Sequence, residues 1–124
     1  MQPALICVLV AGLMPYLWTA IAKTAGPRYD NRDVRTWQSR LSGRAHRAHS
    51  AHLNSFEAFP LFAVAVLVAQ MGGADPTRVN YLAVSFIVLR LFYGLAYLFD
   101  IATLRSLLWL GAFACSVGIF LSGI

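Results

Sequence analysis

The sequence predicts an all-α integral membrane protein, a four-helix bundle of spanning helices, and three observations carry that expectation. Of the 124 residues, 59% are hydrophobic and only 12% are charged, whereas soluble domains carry about 25% charged residues. Apolar runs recur along the chain: "PALICVLVAGLMPYLWTAIA" (Pro3 to Ala22), "AFPLFAVAVLVAQMGG" (Ala58 to Gly73), "YLAVSFIVLRLFYGLAYLF" (Tyr81 to Phe99) and "LLWLGAFACSVGIFLSGI" (Leu107 to Ile124). Between them stand "TAGPRYDNRD", "GGADPTR" and "DIATLR", each rich in turn or charged residues. One domain over residues 1–124 follows, with helices near 3–22, 46–71, 78–99 and 104–123 and a long loop over 23–45.

A hydrocarbon core about 30 Å thick takes about 20 residues of helix. The first, third and fourth runs reach that length alone or with their flanks. The first run is read as a retained helix, not a secretory signal. No basic segment precedes it, its apolar span is too long, and Lys23 with "GPRYDNR" follows where a small-residue cleavage site would stand. The second run spans only if the preceding "HLNSFE" also enters the membrane, which carries Asn54 and Glu57 into lipid. The small residues Gly94, Ala96, Gly111 and Ala112 permit close helix contacts.

The net charge of +5 has an uneven distribution. Lys23, Arg28, Arg32, Arg35, Arg40, Arg44 and Arg47 all lie between the first and second apolar runs, while the loop between the second and third holds only Arg78. The positive-inside rule therefore places loop 23–45 in the cytoplasm and both termini outside it. The basic residues are read as topology signals that touch anionic headgroups of membrane lipids. No nucleic-acid partner is expected, because no aromatic-interleaved soluble module accompanies the charge.

Cys7 and Cys115 fall inside apolar helices, where a free cysteine behaves as a small hydrophobe. No disulfide or catalytic thiol is assigned. His46, His49 and His52 recur every third residue, and each such step turns a helix by roughly 300°, spreading the rings over about 120° of surface. With no cysteine or further carboxylate nearby in sequence, no metal site is expected. The three rings are assigned to solvent or headgroups.

The second helix carries one polar stripe. Counting from Arg47, Ser50, Asn54 and Glu57 follow at three, seven and ten positions, within about 80° of one face at roughly 100° per residue. The third helix repeats that spacing with Arg90, Tyr93, Tyr97 and Asp100. A charge near mid-membrane costs about 2.5–3.5 kcal/mol on insertion scales, so Glu57 and Arg90 are expected to be partners. One reading makes them a buried ion pair that fixes helix register, with Asn54 bonding between helices. That reading leaves Tyr93, Tyr97, Arg47 and Arg105 gathered toward the same side without a reason. Cations, an amide, a carboxylate and two phenols suit a small polar molecule bearing carboxylates and an amine.

"AHLNSFEAFPLF", "RLFYGLAY" and "LRS" together resemble the MAPEG superfamily, the membrane-associated proteins in eicosanoid and glutathione metabolism, in its bacterial branch. The Asn-x-x-Glu-x-x-Pro core (Asn54, Glu57, Pro60), the Arg-x-x-Tyr-x-x-x-Tyr spacing (Arg90, Tyr93, Tyr97) and the following Arg105 and Ser106 carry the likeness. The resemblance implies a homotrimer in the bacterial inner membrane, with glutathione as cosubstrate at a subunit interface near the cytoplasmic face. It implies that Arg47, Asn54, Glu57, Arg90, Tyr93 and Tyr97 hold glutathione. Arg105 would stabilise its thiolate, Ser106 would donate to the same sulfur, and a lipophilic electrophile would enter from the bilayer. Ser50 stands where eicosanoid-forming members carry an arginine, with Arg47 one turn earlier. The resemblance implies a glutathione-dependent transferase or peroxidase. The alternative is a non-catalytic lipid-binding or scaffold protein of the same fold. A transporter is disfavoured, since no inverted repeat or interrupted helix pair is present.

Overall fold

The computed structural model describes residues 1–124 as five helices and no strands: α1 (Gln2–Ala25), α2 (Val34–Ser39), α3 (Gly43–Met71), α4 (Pro76–Leu98) and α5 (Ala102–Ser122). All but α2 are long and apolar enough to cross a membrane. The antiparallel helices α1 and α3 pack along each other, as do α4 and α5. Contacts of α3 with α5, and of α4 with α1 and α3, close the bundle and leave α1 and α5 at opposite corners. The sequence-expected loop over 23–45 holds α2, and α3 begins earlier than residue 46, at Gly43.

Two clusters fill the bundle. One joins Ala4, Ala11, Phe62, Ala65, Ala69, Phe86 and Ile119 at the end that holds the first residues of α1. The other joins Met14, Trp18, Ala22, Trp37, Ala45, Ala48, Ala51 and Leu98 at the opposite, basic end. Alanine dominates both because helices approach closely in lipid only where side chains are small. Large apolar residues such as Leu9, Leu13 and Leu107 point outward, with more than half their surface exposed. In a bilayer that surface meets acyl chains, so exposure carries no hydrophobic cost. Ring stacking of Phe62 on Phe86, with centroids 3.9 Å apart, ties α3 to α4 at mid-bundle.

The turns follow from local chemistry. After α3, Gly73 adopts a left-handed φ of 69° and Ala74 N donates to Ala69 O at 2.9 Å, which satisfies a carbonyl the helix end leaves free. Asp75 then caps α4, accepting from Thr77 N and Arg78 N, with Pro76 in the first turn. Between α4 and α5 the left-handed residue is Asp100, φ 59°, and Ile101 N reaches Ala96 O at 2.9 Å. Asp tolerates this conformation better than most non-glycine residues. Asp100 is exposed and belongs to the turn, so the polar stripe of α4 ends at Tyr97.

Asp33 caps α2 by accepting from Thr36 N at 3.3 Å. Trp37 is buried beneath α2, donates from Nε1 to Pro27 O at 3.2 Å and meets the Tyr29 ring edge-on. Bonds from Thr36 hold the Asp33 carboxyl below its ordinary pKa, about 3.9. A depressed carboxylate pKa contributes stability above the ordinary value, and that contribution fades as pH falls through the lowered one. Trp37 fluorescence should therefore hold steady from pH 7 to 5 and shift only in stronger acid. In Asp33→Asn that acid-dependent shift should be absent.

Candidate functional site

The basic end of the bundle gathers the polar residues of α3 and α4 with the first turn of α5. Arg90 and Tyr93 on α4 are buried, with 2% and 4% of their surface exposed. The Arg90 guanidinium lies 4.1 Å from the centroid of the Tyr93 ring. Tyr93 meets Tyr97 edge-on at 5.7 Å, and the Arg105 guanidinium lies 4.4 Å from the Tyr97 ring. Cation, phenol, phenol, cation thus form a continuous ladder along α4 onto the start of α5. Each cation on a ring face contributes about 0.5–1 kcal/mol where solvent reaches it and more where it does not.

Beside the ladder, a cavity of about 230 Å³ opens between α3 and α5 with α4 behind it. Asn54, Glu57 and Arg90 form its polar part; Leu61, Phe86, Trp109, Phe113 and Ser116 are among the residues lining the rest. Asn54 Nδ2 donates to Glu57 Oε2 at 3.1 Å, a bond between residues one turn apart. Neither Nη1 nor Nη2 of Arg90 has a hydrogen-bond partner, and Asn54 Oδ1 is also unpartnered. The direct Glu57–Arg90 ion pair expected from the sequence is therefore not formed. Asn54 takes up the carboxylate, Arg90 folds under Tyr93, and the cavity lies between them.

The other predicted site residues fall into place unevenly. Arg47 is half-buried and donates from Nε to Leu98 O at 3.3 Å, one of the carbonyls left free at the end of α4. It is thus tied to the helix end, above the cavity. Ser50 is half-buried, and Ser106 is exposed on α5 beside Arg105. Within a single chain Ser106 and Glu57 both face outward.

The histidines depart from the expectation of a solvated or headgroup role. His46 is exposed, but His52 is buried against α1, with Nδ1 2.8 Å from the carbonyl oxygen of Pro15. A carbonyl only accepts, so Nδ1 carries the proton. His49 stacks on His52 at 5.8 Å and is half-buried. His52 belongs to the α1–α3 seam, where a polar ring in lipid needs a backbone partner, whereas Nδ1 of His49 is buried without one.

Trp109, Phe113 and Ser116 were not singled out from the sequence. The signal was nonetheless present: Arg105, Trp109, Ala112 and Ser116 are spaced four, three and four apart, which puts them on one face of α5. In a run so uniformly apolar, that face is marked only by its two polar ends.

Four spanning helices define a multi-pass integral membrane protein, and a cavity between α3, α4 and α5, beside a guanidinium without partners, is its candidate site. The chain belongs to the MAPEG family, whose family model matches residues 3–124, essentially its whole length. Membership places it among membrane proteins associated with glutathione and eicosanoid metabolism. Searches of curated proteins and of solved structures returned no match.

Proposed function

We propose that this protein is a glutathione-dependent membrane transferase or peroxidase acting on lipophilic electrophiles. It works as a homotrimer in a bacterial inner membrane, with both termini outside the cytoplasm and glutathione bound between subunits near the cytoplasmic face. The observation that carries this reading is Arg90, buried in the bundle with both Nη atoms lacking acceptors at the wall of a cavity shared with Asn54 and Glu57. Leaving a buried charged donor unsatisfied costs more than 1–3 kcal/mol, the range for neutral groups. A ligand carboxylate removes that cost in a bidentate pair, while Glu57 and the free Asn54 Oδ1 accept from an ammonium group. Glutathione carries both.

The roles then divide by position. Arg47, Asn54, Glu57, Arg90, Tyr93 and Tyr97 hold the tripeptide. Arg105, at the outer end of the ladder, favours the thiolate over the thiol, since a nearby guanidinium lowers a thiol pKa from about 8.5. Ser106 donates to the same sulfur. The outward exposure of Glu57 and Ser106 supports a site that a neighbouring subunit completes.

Thermal unfolding of the purified protein with and without millimolar glutathione tests this reading. A ligand that binds only the folded state at a hundred times its Kd adds about 2.7 kcal/mol. The wild-type transition is expected to move up, and Glu57→Gln is expected to abolish the shift. An unmoved wild-type transition, at a glutathione concentration that stabilises a known glutathione transferase, would transfer the assignment to a non-catalytic lipid-binding or scaffold protein of the same fold.

A further inference from the structure

Arg105 stands on the part of α5 that the bundle holds least. The buried residues of α5 are Ala112, Ser116 and Ile119, all in its second half. From Ala102 to Gly111 no side chain is buried. The other spans bury 33–39% of their most apolar window, α5 only 17%. Spanning helices are fixed by close contact with their neighbours, and the turns of α5 that carry Arg105 have little of it.

What places Arg105 is the turn before it. Only Phe99, Asp100 and Ile101 separate α4 from α5. Their N–H groups donate back to Leu95 O, Tyr97 O and Ala96 O at 2.9–3.1 Å, and Arg105 N then opens α5 by donating to Ile101 O at 3.0 Å. No backbone N–H reaches Leu98 O, one of the carbonyls a helix end leaves orphaned. Its donor is Arg47 Nε of α3, 51 residues earlier in the chain, and a charged donor makes the stronger kind of hydrogen bond. The start of α3 is well anchored, since Ala45 and Ala48, on either side of Arg47, are buried in the cluster that also holds Trp37 and Leu98. Arg44, one turn nearer the start of α3, makes a looser contact, its guanidinium 5.7 Å from the exposed Phe99 ring.

We propose that Arg47 is a positioning residue for Arg105: its bond to the Leu98 carbonyl pins the α4–α5 turn and so fixes where Arg105 presents its charge. This role rests on the glutathione reading above. It uses Nε alone and leaves the two Nη groups of Arg47 for the tripeptide. With Leu98 O released, the first turns of α5, which no buried side chain holds, shift against α4. The Arg105 guanidinium then leaves the place where thiolate charge forms. A misplacement of about 1 Å can cost a reaction on the order of 100-fold.

Arg47→Met keeps the apolar stem of the side chain and removes the donor. In lipid nanodiscs without glutathione, deuterium exchange of the amides from Arg105 to Trp109 should quicken about tenfold in this variant, the equivalent of one charge-assisted hydrogen bond, while α1 stays as protected as in wild type. With saturating glutathione and benzyl chloride, kcat at pH 7 should fall about tenfold and its alkaline rise should move to higher pH. Arg44→Met removes the same charge one turn away but keeps the Leu98 bond, so its profile should stay where wild type has it. Added to Arg105→Ala, Arg47→Met should shift the profile no further, because its effect passes through Arg105. Unchanged exchange from Arg105 to Trp109, or a rise that α1 shares equally, overturns the local tether. Faster exchange with an unmoved pH profile, a further shift in the Arg105→Ala chain, or an equal shift from Arg44→Met overturns the action through Arg105. A wild type that glutathione fails to stabilise sinks the transferase reading and the positioning role with it, even where exchange responds as expected.

Discussion

On the proposed glutathione-transferase reading, Arg105→Ala is expected to lower turnover about 10- to 100-fold while leaving the unfolding transition almost where it was. Arg105 is half-buried at the first turn of α5, and its only packing of note is the 4.4 Å approach to the Tyr97 ring. Losing such a contact at a solvent-reached site costs about 0.5–1 kcal/mol. The chemical loss is larger because a thiol with pKa about 8.5 is mostly protonated at neutral pH, and the thiolate is the nucleophile. The sign is distinctive: on that reading, removing the cation would raise the pKa of the glutathione thiol. The variant should therefore recover rate as pH rises toward about 9, where wild type has already reached its plateau. Arg105→Lys keeps the charge and should restore part of the rate. An unchanged pH profile in Arg105→Ala would show that Arg105 does not act on the sulfur.

Gly94→Ala is expected to lower stability markedly. The Trp18 indole of α1 occupies the space that a Cβ on Gly94 would need, so α1 and α4 meet there with nothing to spare. Trp18 is 1% exposed within the cluster at the basic end and cannot swing into solvent. Overpacking a filled interior costs about 1–3 kcal/mol, and here it would also push α4, which carries Arg90 and Tyr93, away from α1. On the proposed reading, glutathione binding should weaken along with the unfolding midpoint. Trp18→Leu, placed in the same chain as Gly94→Ala, should recover much of the loss, because the two residues share one space and their effects do not add. Full additivity of the two substitutions would mean that Trp18 is not what Gly94 accommodates.

The spans were legible because lipid leaves few alternatives. An apolar run of about 20 residues in a bilayer is a helix, since no other single segment satisfies its own backbone. The polar stripes of α3 and α4 were legible for a related reason: Asn54, Glu57, Arg90, Tyr93 and Tyr97 stand out against apolar neighbours, and helical periodicity assigns each set to one face. Two of the departures are equally physical. Glu57 and Arg90 were expected to bond because each alone is costly in lipid, but Asn54, three residues from Glu57 on the same helix, reaches the carboxylate first. The His46, His49 and His52 run gave no sign that the carbonyl of Pro15, 37 residues before His52, would take up one of the rings.

By itself, then, the sequence determined the all-helical membrane class, the four spans, the family likeness and three of the polar residues that line the cavity, Asn54, Glu57 and Arg90. Only the tertiary structure decided which of those residues meet. It stacked Arg90 on Tyr93 and Arg105 on Tyr97, left the buried Arg90 donors without partners beside a cavity, turned Asp100 out into a tight turn and brought Ser116 to the cavity wall. The reason is that helical periodicity fixes what lies on one face of one helix, whereas the choice of neighbour depends on how closely two helices approach. That approach is set by small residues such as Gly94, whose effect depends on a partner far away in the chain.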